Sequence, residues 1–218
     1  PSTKERVIVV GGGVTAGQVA LKLTREGHRV QLVARHALRE HQFDSDPGWL
    51  GPKFMDNFKQ EGNVNRRRAL ISTGRNRGSI PPHVHRSLKK AMKRKTLIWH
   101  ESNVARVVVE GSMVRMYLVN GKILKADRLL LSTGFAAHRP GGSFIDELVS
   151  TESLSCAECG YPVVDEALRW HPRIYVSGPL AELELGPASR NIAGARRAAD
   201  RIVQVALEQR APVKRHAS

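Results

Sequence analysis

Aromatic residues make up only 5% of the 218-residue chain, and there are only two cysteines. No apolar run approaches the roughly 20 residues a membrane-spanning helix needs. The opening "PSTKERVIVV" carries no signal-peptide core, so the sequence predicts a cytoplasmic protein with no membrane partner. Zinc is disfavoured, because Cys156 and Cys159 in "SCAECGYP" have no second CxxC or close HxxxH to complete a tetrahedral set. A CxxC redox pair belongs at a helix start after a strand, whereas this one lies in a Gly/Pro loop; incidental thiols are the favoured reading, with redox and metal roles left open. No Ser/His/Asp set has credible spacing, and His83 and His85 of "PPHVH" read as surface histidines, so no catalytic residue is assigned. There is no internal repeat and no low-complexity tract.

Acid is also scarce. Twenty Asp and Glu face 35 Lys and Arg, a net charge of +15. Such a field attracts polyanions: nucleic acid, acidic lipid, or the phosphates of a cofactor. The densest run, "KKAMKRK" (Lys89–Lys95), lies on an amphipathic helix and holds no aromatic side chain for base stacking, so it reads as a solvated face before an anion-binding one. The same holds for Arg66–Arg68. Nucleic acid is therefore a disfavoured partner.

What is present is an α/β pattern. Strand Arg6–Val10, a helix from Val14 to Glu26 closed by Gly27, and strand Arg29–Ala34 form a βαβ opening with short loops, which implies a parallel sheet and a right-handed crossover. A Gly/Pro/Asp-rich loop follows, then helices around Pro52–Gln60 and Pro82–Arg94 and a strand at Thr96–His100. From about 103 to 125 the period changes to two, and "GS" and "NG" join three short runs into an antiparallel meander. "DRLLLSTG" (Asp127–Gly134) reads as a buried strand, "RIYVSG" (Arg173–Gly178) as the last strand. The final helix begins near Pro187 with Ile192, Ala195, Ala199, Ile202 and Ala206 at helical spacing, and the tail "APVKRHAS" is expected to fray. The expected domains are 1–134, a nucleotide-binding unit with the meander, and 135–218.

The glycine run sits where the first strand meets the first helix. Gly11, Gly12 and Gly13 with Ala16 satisfy the dinucleotide fingerprint in its alanine form. Gly11 permits the tight turn, Gly13 lets a pyrophosphate approach the helix N-terminus, and Ala16 keeps the helix close to the sheet. An NAD site normally places Asp or Glu at the end of the second strand to accept from the ribose 2′-hydroxyl. Here stands Arg35, followed by His36 and Arg39. A cation suits a 2′-phosphate, so NADP(H) is the expected nucleotide.

Several motifs in order, "VVGGGVTAGQVA", "FDSDPGWLGPKF", "GRNRGSIPP", "LLLSTGF" and "GPLAELELGPASRNIAGARRAADRI", resemble the C-terminal half of bacterial FAD/NAD(P)-binding flavoproteins related to the lysine and ornithine N-hydroxylating monooxygenases. The likeness runs from about Arg6 to Ile202. It implies a Rossmann-like, two-dinucleotide flavoprotein fold of which this is the second half, with 135–218 as the return segment of the FAD domain. It implies NADPH at Gly11, Gly12, Gly13, Thr15, Ala16 and Arg35, with Arg75, Asn76 and Ser79 facing the same cofactor. Thr133 and Gly134 would lie near the FAD–NADPH junction, and Gly178, Pro187, Ala188 and Asn191 against the flavin, where a helix N-terminus suits a reduced, anionic ring. The implied chemistry is hydride transfer from NADPH to FAD and oxygenation of a small substrate such as an amine.

The chain departs from that pattern in two places. The first glycine loop, which anchors FAD, is absent, and the usual Gly-Asp of the late motif is Gly178-Pro179. A fragment of a longer enzyme, a half completed by a partner chain, and a remnant without flavin chemistry all fit. So does a different class, a non-catalytic scaffold docking on an acidic partner or RNA through its basic surface.

Overall fold

The computed structural model describes residues 4–210, so the tail "APVKRHAS" lies outside the described residues. In chain order the elements are β1 (Arg6–Val10), α1 (Val14–Arg25), β2 (Arg29–Ala34), β3 (Arg39–Glu40), α2 (Pro52–Gln60), α3 (Val64–Thr73), β4 (Ser79–Ile80) and α4 (Pro82–Lys93). There follow β5 (Leu97–Glu101), β6 (Val104–Glu110), β7 (Met113–Leu118), β8 (Ile123–Ala126) and β9 (Arg128–Leu131). The chain closes with α5 (Gly142–Thr151), β10 (Arg169–His171), β11 (Ile174–Tyr175), α6 (Glu182–Leu185) and α7 (Ile192–Arg210). It divides into two compact units, 1–44 with 76–136, and 45–75 with 137–218. The expected division kept 45–75 with the first domain; by contact they group with the second unit.

The first unit is the expected α/β fold. Strands β1 and β2 are near-continuous apolar runs, as parallel strands covered on both faces must be. The sheet order is β5-β2-β1-β9, and every pair is parallel. Alternation sends Val7 and Val9 of β1 toward α1 and α4, where they meet Ala16, Ala20 and Leu88. Ile8 points the other way with Val33, onto Met116, Leu118 and Leu124 of the β6-β7-β8 meander. Three layers result. A short parallel pair, Arg39 opposite Ser79 and Glu40 opposite Ile80, was too brief to show in the sequence. Edge strand β9 leaves Leu131 70% exposed rather than buried as expected.

His85 also differs from expectation. Helical spacing carries it inward with Val84 and Leu88, so it is buried and its Nδ1 bonds the Glu40 carboxylate; only His83 stays exposed.

The second unit corrects four further expectations. The Gly/Pro-rich loop contains a 3-10 turn, Pro47–Leu50, that buries Trp49. Asp46 starts this turn by accepting from the Gly48 N–H at 2.7 Å. Residues 64–73, for which no helix was expected, form α3, capped by Asn63, whose side chain accepts from the backbone N–H of Asn65 and Arg66. On α3 Arg66 is solvated as expected, but Arg67 and Arg68 are neither a solvated face nor an anion site. Arg67 donates to Glu184 at 2.9 Å, and Arg68 to the fully buried Glu182. Arg190 Nε reaches the other Glu182 oxygen at 2.7 Å and its Nη2 donates to the Tyr161 hydroxyl at 2.9 Å. Tyr161 in turn donates to the His138 carbonyl, and the Arg68 guanidinium lies 4.3 Å from the Tyr161 ring centre. The "RIYVSG" segment holds only β11, paired antiparallel with β10 in a hairpin apart from the main sheet.

Helix α7 carries two apolar stripes. Gly194, Ala198 and Ile202 turn inward, and a Cβ at Gly194 would stand 2.2 Å from the Ala188 carbonyl oxygen. Ile192, Ala195, Ala199 and Ala206 face outward, joined by Val203 and Leu207. The backbone crossing at Gly194 fixes the rotation of the helix, and periodicity alone could not choose between two apolar stripes.

The charge is unevenly divided. The first unit carries 19 Lys and Arg against 7 Asp and Glu, and the second 16 against 13, so +12 of the +15 belongs to the first.

Candidate dinucleotide-binding site

The glycine loop is built from both sides of β1. The Gly11 N–H donates to the Val33 carbonyl at 2.9 Å, and Ser132 N–H donates to Val10 at 2.7 Å, which brings the "STG" turn against the loop. Gly11 has φ +151°, and a Cβ there would lie 2.2 Å from the Ser132 oxygen. Only glycine fits. Ala16 is fully buried beneath, as a small residue packing helix on sheet must be.

Gly13 is the N-cap of α1 and has no side-chain cap. The first turn of α1 holds no acidic residue and Thr15 stands exposed on it, so its N-terminal N–H groups face outward with their partial positive charge uncompensated. A Cβ on Gly13 would meet only the Gly78 Cα, at 3.6 Å. The backbone of Gly78, in the "GRNRGS" turn, thus lies directly against the helix terminus.

Basic side chains gather beside this loop. The His36 ring packs on Gly12 and Gly78 and its Nδ1 lies 2.8 Å from the Ala37 carbonyl. Arg35 is exposed at the end of β2, Arg39 is held opposite Ser79, and Arg77 precedes Gly78. Among the described residues Arg35, Arg39 and Arg77 have no ion pair. Asn76 is tied down by its N–H to the Asp44 carbonyl at 2.7 Å and its side chain to Phe43 at 3.1 Å. The structure thus brings together Gly11, Gly12, Gly13, Thr15, Ala16, Arg35, Asn76 and Ser79, with Thr133 and Gly134 following Ser132. His36, Arg39 and Arg77 complete the set; the "RHxxR" spacing signalled the first two, while nothing in the sequence singled out Arg77.

The remaining expected residues lie in the second unit. Arg75 bridges to Ser45 there. Gly178, at φ +58°, opens the 3-10 turn Gly178–Ala181. Pro187 and Ala188 are buried, Ala188 in the core with Trp49 and Tyr161, so they offer no side-chain surface to a ring. Asn191 caps α7 by accepting from the Gly194 N–H at 3.0 Å. Cys156 and Cys159 are free thiols, and burial pushes Cys156 up, away from the reactive thiolate. No group of three or more His, Cys, Asp or Glu that could hold a metal occurs among the described residues. No described helix is long and apolar enough to cross a membrane.

A glycine turn at a helix N-terminus, with Arg35 at the end of β2, fits a pyridine-nucleotide-binding fold. The chain belongs to the pyridine nucleotide-disulphide oxidoreductase family, whose profile matches residues 1–201. NADP(H) and FAD are the cofactors that family and fold indicate. Among solved structures it resembles ornithine hydroxylase of Pseudomonas aeruginosa (TM-score 0.73, 14% identity), covering 94% of this chain and 53% of that one. Ornithine N-hydroxylase of Kutzneria sp. 744, solved with reduced FAD, NADP+ and L-ornithine, matches at TM-score 0.69 and 17% identity, covering 94% and 54%. L-lysine 6-monooxygenase of Pseudomonas syringae matches at 0.68 and 21%, covering 95% and 54%. The chain thus spans about half the length of these enzymes. A search of curated proteins returned no match.

Proposed function

We propose that this chain is the NADPH-binding part of a flavin-dependent, monooxygenase-like oxidoreductase acting on a small molecule, an amine being the class its structural relatives suggest. The observation that carries the reading is the pair Arg35 and Arg39, exposed and without an ion pair among the described residues, beside the glycine loop at the N-terminus of α1. Gly13 admits the pyrophosphate, the free N–H groups of α1 bind it, and Arg35 and Arg39 take the 2′-phosphate by charge-assisted hydrogen bonds. His36 stacks on the loop and holds its shape. Bound NADPH supplies hydride, and FAD, held mainly by the half of the relatives not spanned here, is its acceptor. Residues 135–218 then form the returning part of the FAD domain.

Titration with NADPH and NADH, with Arg35→Ala alongside, tests this. NADPH should bind the wild type at least tenfold tighter, and the variant should lose the difference, since one charge-assisted contact contributes about 1.5–3 kcal/mol. Failure of both nucleotides to bind at millimolar concentration would sink the reading. A second reading, a scaffold docking on an acidic partner, is favoured by one observation: Arg86, Lys89, Lys90, Lys93, Arg94 and Lys95 along α4 are all exposed, and none has an ion pair among the described residues. Binding to acidic polymers that collapses at moderate salt would identify it as simple ionic attraction.

A further inference from the structure

We infer that Arg77 clamps the pyrophosphate of the bound dinucleotide, an inference that rests on reading the glycine loop as an NADP(H) site. A pyrophosphate brings two negative charges, and a helix N-terminus offers only about half a unit of positive charge. A full cation beside it would balance more of that charge. The first turn of α1 has no side-chain cap and supplies none of its own.

The "GRNRGS" turn is built to supply one. Asn76 is pinned to the Phe43 and Asp44 carbonyls, and the Ser79 N–H donates back to the Asn76 carbonyl at 3.3 Å, closing a turn around Arg77. Gly78, at φ +69°, lies against both Gly13 and the His36 ring, so the residue before it is held beside the glycine loop. Ser79 is locked in turn by pairing with Arg39. Arg77 is exposed and has no ion pair or hydrogen bond among the described residues. Of the arginines without an ion pair here, Arg35 and Arg39 belong to the segment running from β2 into β3, at the ribose end. Arg77 is joined to the residue that touches Gly13, at the pyrophosphate.

The two positions predict different losses. Arg77→Ala should weaken NADPH and NADH by the same factor, about tenfold for one charge-assisted contact. It should leave 2′-AMP, which carries the ribose phosphate and no pyrophosphate, unchanged as a competitor. Arg35→Ala should weaken NADPH and 2′-AMP and spare NADH. Arg77→Lys should recover part of the loss. An Arg77→Ala chain that binds NADPH and NADH as the wild type does would overturn the clamp. So would one that loses 2′-AMP with NADPH while keeping NADH, since Arg77 would then belong to the 2′-phosphate. A wild type that binds none of the three overturns the site itself. A thermal melt should not move for either substitution, because neither side chain has a partner to lose.

Discussion

Glu182→Gln is the substitution with the largest calculable effect. The carboxylate is 1% exposed and serves two guanidinium groups, Arg68 on one oxygen and Arg190 at 2.7 Å on the other. Both arginine side chains are under 20% exposed. Neutralising the acid leaves two nearly buried cations facing each other. Breaking a buried ion set from one side costs about 3–5 kcal/mol, and glutamine keeps the shape and one acceptor, so about 3 kcal/mol applies. Arg68 retains the Ala137 carbonyl and the Tyr161 ring, and Arg190 retains the Tyr161 hydroxyl, which places the effect at the lower end. At roughly 2–4 °C per kcal/mol for a chain this size, Tm should fall by about 6–12 °C. Urea and thermal melts followed by tryptophan fluorescence read it directly, since Trp49 and Trp170 both lie in the second unit. Glu61→Gln is the control, because its partner Arg66 is 76% exposed at 3.8 Å and such pairs contribute about 0–1 kcal/mol. If Glu182→Gln costs no more than that control, the network is a by-product of packing rather than a support.

Gly194→Ala should destabilise by at least 2 kcal/mol, because the new methyl meets backbone at 2.2 Å and no side chain can yield; an unchanged urea midpoint would mean α7 shifts freely. On the same helix Val203→Glu and Leu207→Glu should leave Tm unchanged within about 2 °C, whereas Ala198→Glu, at a fully buried position, should abolish folding. Equal effects on both faces would refute the assigned rotation. His100 is held below its ordinary value by burial and then by Lys122, while its Nε2 lies 3.0 Å from Gln31. The folded ring therefore resists protonation more than the unfolded one. Its contribution is complete above about pH 6.5 and is lost as pH falls through the lower folded value. Unfolding midpoints at pH 8 and 5.5 should converge in His100→Gln, and an undiminished pH slope in that variant would assign it elsewhere.

The first unit was legible because its signals are local and redundant. Apolar runs, a glycine loop and a change of period each pointed to the same layers, and Arg35 at the end of β2 marked the nucleotide preference. What stayed hidden depends on residues far apart in sequence. Arg67 and Arg68 read as surface charge because their acids come more than a hundred positions later, at Glu182 and Glu184. His85 read as exposed because Glu40 reaches it through a two-residue strand pair. Arg77 carries no signal beyond its charge, and its meaning comes from Gly78 lying against Gly13. On α7 the helical spacing was legible and the inward stripe was not, for it is set by one backbone contact at Gly194.

Each unit is assembled from two stretches of chain separated by a piece of the other. Ribosomal synthesis therefore delivers β1, α1 and β2 before their neighbours β5 and β9 exist, and delivers α2 and α3 well before α6 and α7. Long loops must close before most of the stabilising contacts form, which slows folding and lengthens the exposure of apolar strands. A nick in the connection at 44–45 or 75–76 would release neither unit as a free domain, because the other stretch still holds the cut piece. The nicked protein should migrate as one species in native buffer and separate only in denaturant.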